Sequence, residues 1–581
     1  MTTSRFEVTV EHLLWSGLLL LALAVRLTAL GGTPFSDGEA LHALGALAAS
    51  GSQSPFWTTP LPASNPAYRV LAGWLFQLFG SSDIMARIPS VAAGLALVLT
   101  PLLLRRRFGA RLALTIGFLL SVSPVILTVS RSAGGESFAI LGITGAIFAV
   151  LGHGSGSSEK RAALAGAGLG LALASGSSAY TSLLSLLLAW IIIRRSAPNQ
   201  EPWAGFSWRV FLAAALLAVV ALASGFGMDW HGLAGIGDGF ADWLQGWSSG
   251  GQVNALAFLA MMFSFEPLTL IFGIAGVLFT FNGRLDRLDR FMAIWTGWAL
   301  ILNLLRIGRT AEDLAWVILP LIWLGGRALS MIMDGLTQRG GWLQTGILAV
   351  ALLILMASAG ISVISYLQGY QLSHLGSSSS LLYFIFGALL LMAASLVFIF
   401  GMEWSWKVVF DSAAFTVFAV ALSLSIQAAW RLNMHASQGG ARLLWSPVQA
   451  TDQVALLEGT LAKASLVQSG MPASISIQVN SDLPPVLAWY LRDYERVSGE
   501  FAVDQSPPVA MLTPGSQSEV RLPAEYYGQA FALRTIFNEA GSRPSVRWWV
   551  LDEGQAQTES WTLWVRADVA GLGEAPVRLE P

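Results

Sequence analysis

Cysteine is absent from the 581 residues, which excludes a disulfide framework and a thiolate metal site and removes any thiol-based clue to redox compartment. Charge is scarce as well. Asp, Glu, Lys and Arg make up 12% of the chain, against roughly 25% in an ordinary soluble domain, and this excludes a soluble enzyme. The 33 basic and 35 acidic residues give a net charge of -2, without the basic excess that neutralises nucleic-acid phosphates. No nucleic-acid partner is expected. His42 lies beside Asp37 and Glu39, a cluster too small to argue for a metal, and the other histidines, at positions 12, 153, 231, 374 and 435, show no ligand spacing, so no metal is expected. No internal repeat is evident, and the glycines of 152–158 follow no strand, so they do not read as a phosphate loop.

Long apolar runs are plentiful, with 54% of residues hydrophobic. A helix crosses some 30 Å of hydrocarbon in about 17 to 25 residues. Thirteen spans are predicted, at 13–30, 84–104, 111–129, 137–152, 162–176, 178–193, 209–226, 266–282, 290–307, 313–331, 342–367, 380–400 and 408–429. The first lacks a small-residue cleavage site and is followed by many others, so it reads as an anchor rather than a signal peptide.

Positive charge alternates between the connections. Arg105, Arg106, Arg107, Arg111, Lys160, Arg161, Arg194, Arg195, Arg209, Arg284, Arg287, Arg290, Arg327, Arg339 and Lys407 mark one side, which the positive-inside rule makes cytoplasmic. The opposite loops hold only Arg69, Arg131, Arg306 and Arg309. An odd number of spans then puts the amino terminus inside and the carboxyl tail outside.

Within the first outer loop, 38–50 and 65–80 are apolar but too short or broken to span, and read as interfacial helices of a membrane domain covering 1–429. The outer loop 227–265 carries Trp230, Trp243 and Trp247 among Gly and acidic residues. It reads as an aromatic belt at the membrane surface or as a stacking surface for a sugar or lipid. From 430 to 581 the composition becomes that of a soluble domain. A helix at 447–468, a strand at 475–479, a helix at 486–494 and strands near 508–512, 529–536, 545–551 and 560–566 predict a small extracytoplasmic α/β domain.

The candidate chemistry lies in the outer loops. Ser36-Asp37-Gly38-Glu39-Ala40-Leu41-His42-Ala43 places two carboxylates and a histidine at the membrane boundary, where charge is costly unless solvated or used. A capped helix start, with Ser36 or Asp37 as N-cap and Glu39 in the first turn, is the alternative reading. Next come Ser64-Asn65-Pro66-Ala67-Tyr68, then Leu78-Phe79-Gly80-Ser81-Ser82-Asp83 with Ala86-Arg87-Ile88-Pro89, and then Ser123-Pro124 with Ser130-Arg131-Ser132-Ala133-Gly134-Gly135-Glu136. Trp489-Tyr490-Leu491-Arg492-Asp493-Tyr494 stands out in the tail.

In order and spacing these motifs resemble the polyprenol-dependent membrane glycosyltransferases of the GT-C superfamily. The likeness is to family 39 and its protein O-mannosyltransferase-like members, most specifically the flippase-associated, archaeal-type members with a C-terminal outer domain. The resemblance covers about 13–152, plus the tail motif. It implies a GT-C-like multi-pass helical fold and transfer of a sugar from a polyprenyl-phosphate donor to an acceptor glycan, lipid or protein on the outer face. No cofactor is implied, because the lipid-linked sugar is the donor.

The resemblance further implies Asp37 as general base, with Glu39 orienting or replacing it. Arg131, with Arg306 or Arg309, would bind the donor phosphate, and His42, Asn65, Tyr68, Arg87 and Glu136 complete the candidate substrate site. Arg306 and Arg309 can equally pair with Glu312 and Asp313, and Arg131 can be a snorkelling helix end. The motifs also depart from the family. Gly38 stands where its catalytic aspartate belongs, Ser64-Asn65-Pro66 stands where "H-G-P" is expected, and Gly134 replaces the second arginine of "S-R-x-x-R-x-D". A catalytically silent relative that binds lipid or scaffolds cell-envelope glycan assembly is therefore the competing reading. A transporter ranks third, since the span interiors carry almost no charge beyond Arg26.

Overall fold

The computed structural model describes residues 9–570 apart from 58, 60, 62–63, 152–157, 197–205, 229, 252, 283–285, 340–341, 368–377, 435–439, 480–481, 498–506, 516–521, 523 and 538–555. Its first helices are α1 (Val10–Leu27), α2 (Asp37–Ala49), α3 (Pro66–Phe79), α4 (Asp83–Leu99) and α5 (Arg105–Phe108). They are followed by α6 (Ala110–Val122), α7 (Pro124–Arg131), α8 (Glu136–Leu151), α9 (Ser158–Leu173), α10 (Ser178–Ser196) and α11 (Trp208–Ala223). After them come α12 (Ala234–Gln245), α13 (Ala255–Phe265), α14 (Pro267–Phe281), α15 (Arg287–Leu305), α16 (Leu314–Arg339), α17 (Trp342–Leu367), α18 (Ser378–Glu403) and α19 (Trp406–Asn433).

Every predicted span coincides with a helix or a bent pair. Among the described residues eight helices are long and apolar enough to cross a membrane, ten with the bent pairs counted as spans; α8 and α11 are shorter apolar helices, and α9, at the predicted span 162–176, falls in none of these groups. The predicted spans at 111–129 and 266–282 need correction. The first bends by 61° between α6 and α7, and α14 is preceded by α13, bent from it by 95°. Both breaks fall at a proline, Pro124 and Pro267, whose ring clashes with the preceding turn and which lacks an N–H. Glu266 bolts the two bends together. Its carboxylate accepts from Ser123 Oγ, from the Val125 amide at 2.9 Å and from Thr269 Oγ1 at 2.7 Å.

The apolar segments at 38–50 and 65–80 form α2 and α3, which pack along each other. A Cβ at Gly73 would stand 3.1 Å from the Ala46 carbonyl, so glycine is what permits the approach. The Trp-rich loop folds partly into α12, where Phe240 stacks on Trp243 at 5.7 Å and Trp243 donates to Thr181 Oγ1 at 2.9 Å.

Beyond residue 433 lie α20 (Gly440–Trp445), α21 (Gln453–Ser469) and α22 (Pro485–Tyr490). The strands are β1 (Val448–Ala450), β2 (Ser476–Val479), β3 (Glu495–Val497), β4 (Ala510–Pro514), β5 (Tyr526–Phe537) and β6 (Ala556–Arg566). They form one sheet in the order β1-β5-β6-β4-β2-β3, parallel where β2 meets β3 and β4 and antiparallel elsewhere. The predicted strand at 545–551 lies outside the described residues. β1 and β3, three residues each, were not predicted, being too short to show alternation. The start of the predicted 447–468 helix is β1, and the 486–494 helix ends at Tyr490.

The core of this C-terminal part is continuous with the membrane part. Phe35, Leu44, Tyr68 and Phe76 share one apolar cluster with Leu457, Trp489, Phe531 and Trp561. The tail motif makes the joint. Trp489 Nε1 and Tyr490 Oη donate to the two oxygens of Asp83, at 2.8 and 2.6 Å. Arg492 donates to the Ser81 carbonyl at 2.8 Å and lies 4.1 Å over the Trp489 ring.

Candidate active site

Under this joint lies a cavity of 430 Å³, walled by the start of α2, Arg87 of α4, the turn after α7, the 306–313 loop, the end of α19, α20 and β1. Eight of the ten residues singled out in the sequence line it: Asp37, Glu39, His42, Asn65, Arg87, Arg131, Glu136 and Arg306. Tyr68 and Arg309 do not. Tyr68 is buried behind His42, donating to the Ala86 carbonyl at 2.9 Å. Arg309 donates to the carbonyls of Asn303, Val253 and Leu304 and ties down the end of α15.

Local sequence fixes the register of α2. Ser36 is its N-cap, with Ser36 Oγ accepting from the Glu39 amide at 3.3 Å and Glu39 Oε2 accepting from the Ser36 amide at 3.2 Å. This reciprocal box holds both ends of the first turn and leaves Asp37 and Gly38 between them. Glu39 is further engaged. Arg87 Nε and Nη2 reach its two oxygens at 2.9 and 3.1 Å, and the Ala133 amide donates at 3.1 Å. Arg87 also holds the Leu30 and Thr33 carbonyls, at 2.7 and 2.9 Å. Burial pushes the Glu39 carboxyl up, but the adjacent Arg87 charge and these hydrogen bonds outweigh it and keep the group below its ordinary range. Glu39 is thus a brace.

Asp37 is placed differently. Arg534 of β5 donates to its Oδ2 at 2.6 Å, while Oδ1 is buried without a hydrogen bond of good geometry. Burial raises this carboxyl above its usual range despite the attraction of Arg534. At Gly38, which also lines the cavity, a Cβ would meet only Ser36 Oγ, at 3.9 Å, so the position has room for a side chain.

Asn65 is buried. With its amide oriented to satisfy both groups, it accepts from His42 Nδ1 at 3.2 Å and donates to the Ser64 and Ser175 carbonyls. Arg131 caps α1, donating to the Val25 and Arg26 carbonyls at 2.8 Å. Arg306 pairs with Asp313 Oδ2 at 3.1 Å, and its Nε is buried without a partner. Glu312 makes no such pair. It lies near Glu136, Asp313 and Glu39, where burial and like charge push its carboxyl well up. A Cβ at Gly134 would stand 2.5 Å from Glu136 Oε2, so this glycine gives Glu136 the room that a larger residue would take.

Sequence reasoning missed Arg442, Asn433 and Gln449, which also line the cavity. They fall between the last span and the first clear element of the tail, where no periodicity marks them. Asp37 Oδ1, Ser178 Oγ, Arg306 Nε, Asp313 Oδ1 and Gln449 Oε1 are all buried and unpartnered, and all belong to residues lining this cavity. Buried polar atoms normally have partners, so these groups leave hydrogen-bonding capacity facing the cavity. Among the described residues no cluster of three or more His, Asp or Glu side chains is arranged to hold a metal.

These features define a multi-pass membrane protein with a charged cavity beneath a C-terminal α/β cap. Residues 62–224 match the family model for dolichyl-phosphate-mannose-protein mannosyltransferases. The crystal structure of ArnT from Cupriavidus metallidurans bound to undecaprenyl phosphate superimposes with a TM-score of 0.53 at 14% identity, over 83% of this chain and 85% of that one. Its apo form gives 0.52 at 17% identity, over 84% and 86%. The archaeal oligosaccharyltransferase AglB from Archaeoglobus fulgidus, in complex with an inhibitory peptide and a dolichol-phosphate, gives 0.43 at 13% identity, over 84% and 64%. No curated protein matches the sequence. The chain is thus similar in fold to ArnT over most of its length.

Proposed function

We propose that the protein is a membrane glycosyltransferase that takes a sugar from a polyprenyl-phosphate donor and passes it to a hydroxyl-bearing glycan, lipid or protein on the outer face. The observation that carries this reading is one cavity in which Asp37, one oxygen of which has no hydrogen bond of good geometry, lies among the guanidinium groups of Arg87, Arg131, Arg306 and Arg442. Asp37 takes the acceptor proton as the acceptor oxygen bonds to the anomeric carbon. The bond from that carbon to the lipid phosphate breaks, and the phosphate leaves with the electron pair. Arg306, whose Nε lacks a partner, offers charge to that phosphate. Glu39 and Arg87 hold the first turn of α2, and Arg309 holds the loop that carries Arg306. The donor is itself the lipid-linked sugar, so the reading calls for no cofactor.

The test is transfer from radiolabelled polyprenyl-phosphate sugars by the full chain in lipid nanodiscs. Asp37→Asn is expected to reduce transfer by about 10²- to 10⁴-fold, the usual worth of a general base, with the folded yield unchanged. An unaltered rate in that variant removes the mechanism. Because burial raises the Asp37 carboxyl, transfer should fall with pH at a midpoint above the ordinary carboxylate range.

One observation favours a second reading, a silent relative that binds lipid or scaffolds cell-envelope assembly. The family's aspartate position is Gly38, and Asp37 is engaged by the outer domain. Binding of undecaprenyl phosphate without turnover of any donor would decide for it.

A further inference from the structure

The reading of Asp37 as base leaves unexplained why a cavity carboxylate is held by a residue 497 positions away in the chain. β5 and β6 pair regularly from Tyr526↔Arg566 to Ala532↔Ser560, and the register then shifts so that Arg534 faces Glu559. Leu533 is the additional residue. Such a bulge bends a strand and re-aims a side chain. Here Leu533 stays fully buried in the core while Arg534 reaches α2.

The bulge is fastened on its far side. The Thr451 amide donates to the Leu533 carbonyl at 3.0 Å, Thr451 Oγ1 donates to the Ala532 carbonyl, and Gln453 Oε1 accepts from the Ala532 amide at 2.6 Å. Arg534 is in turn backed by Glu559. Its Nε meets Glu559 Oε2 at 3.1 Å, and Trp561 Nε1 holds the other oxygen at 2.9 Å. A bridge between Ser36 and Gln449 joins the sheet to the cap of the same helix turn. Docking of the two parts already has its own apolar core and the Asp83 joint, so this row of charges is not needed as glue.

We propose that Arg534, backed by Glu559, is a positioning residue supplied by the outer domain that orients Asp37 and favours its charged form, so that the outer domain completes the active site. This rests on the reading of Asp37 as base. Nη1 on Oδ2 fixes the carboxylate rotamer and leaves Oδ1 for the acceptor proton. Glu559 tempers the charge of Arg534, so that Asp37 remains basic enough to take that proton.

The absence of native cysteine gives a direct test in the full chain. Asp37→Cys introduces a single thiol, whose titration is read from the pH dependence of its alkylation by iodoacetamide, without knowledge of the sugar. Adding Arg534→Gln should raise the thiol midpoint by about one unit, the usual effect of losing an opposite charge at contact distance. Arg534→Lys should leave it near the starting value, and Glu559→Gln should lower it. A midpoint that Arg534→Gln does not move overturns the proposal.

In the chain with Asp37 intact, Arg534→Gln should lower kcat with an unchanged KM for the donor and shift the acid limb of transfer to higher pH. A rise in KM alone would also overturn it. The two readings fail separately. An inactive Asp37→Asn chain beside an unmoved thiol removes only Arg534, whereas a fully active Asp37→Asn chain removes the base reading and the purpose of Arg534 with it.

Discussion

Two carboxylates two positions apart, Asp37 and Glu39, take opposite roles because of what each meets. Glu39 is the third residue of a capped turn and the partner of a buried arginine, whose side chain is 4% exposed. Removing one member of a buried pair leaves the other charge uncompensated, at roughly 3 kcal/mol or more. Glu39→Gln should therefore lower the melting temperature and the yield of folded protein, whereas Asp37→Asn should lower neither. The Glu39 carboxyl is held below its unfolded value, so its contribution is present above the unfolded carboxylate pKa of about 4.3. That contribution is lost as pH falls through the folded value. A melting temperature that drops on acidification in the wild type, but less steeply in Glu39→Gln, would show this. Gly38 gives a complementary test, since its Cβ direction is open. Gly38→Asp should fold normally and restore transfer in an Asp37→Asn background, and transfer rates in that double variant check it.

At the scale of elements, the C-terminal domain is held by a shared apolar core and by a six-residue motif. Asp83, at the first turn of α4, receives both the Trp489 indole and the Tyr490 hydroxyl. Asp83→Ala leaves two buried donors without an acceptor, at about 1 to 3 kcal/mol each. The outer domain should then loosen while the membrane helices remain folded. Limited trypsin digestion should cut faster after Arg431 or Arg442, and wild-type digestion kinetics would refute the joint. The pairing explains why the "L-F-G-x-S-D" and "W-Y-L-R-D-Y" segments stand out together in the sequence: they are the two halves of one contact. Each half was legible as a motif. Their contact was not, because nothing local in either segment encodes a partner some 400 residues away.

Across the whole molecule, what could be read from the sequence followed period and composition. Each of the thirteen apolar runs fell on a helix or a bent pair, and Pro124 and Pro267 stand where two of them break. Most of the cavity was legible too, because charge is rare in the loops on that side of the chain and therefore conspicuous. Arg309 stood out for the same reason, and the fold commits its guanidinium to the carbonyls of Asn303, Val253 and Leu304. Arg534 and Arg442 escaped because the tail has ordinary charge, and an arginine there is unremarkable until the fold sets it against α2.

Sidedness is the part of the reading that both the sequence pattern and the proposed chemistry require, since the cavity must open where the outer domain sits. Absence of native cysteine again makes the experiment clean. Lys160 precedes most of α9 on the side rich in arginine, and Gln468 is exposed on α21 of the outer domain. In intact cells, Gln468→Cys should react with a membrane-impermeant maleimide, and Lys160→Cys should react only after the membrane is opened. The reverse pattern would put the cavity on the cytoplasmic side. Outer-face transfer would then be untenable, even though every distance within the cavity stayed the same.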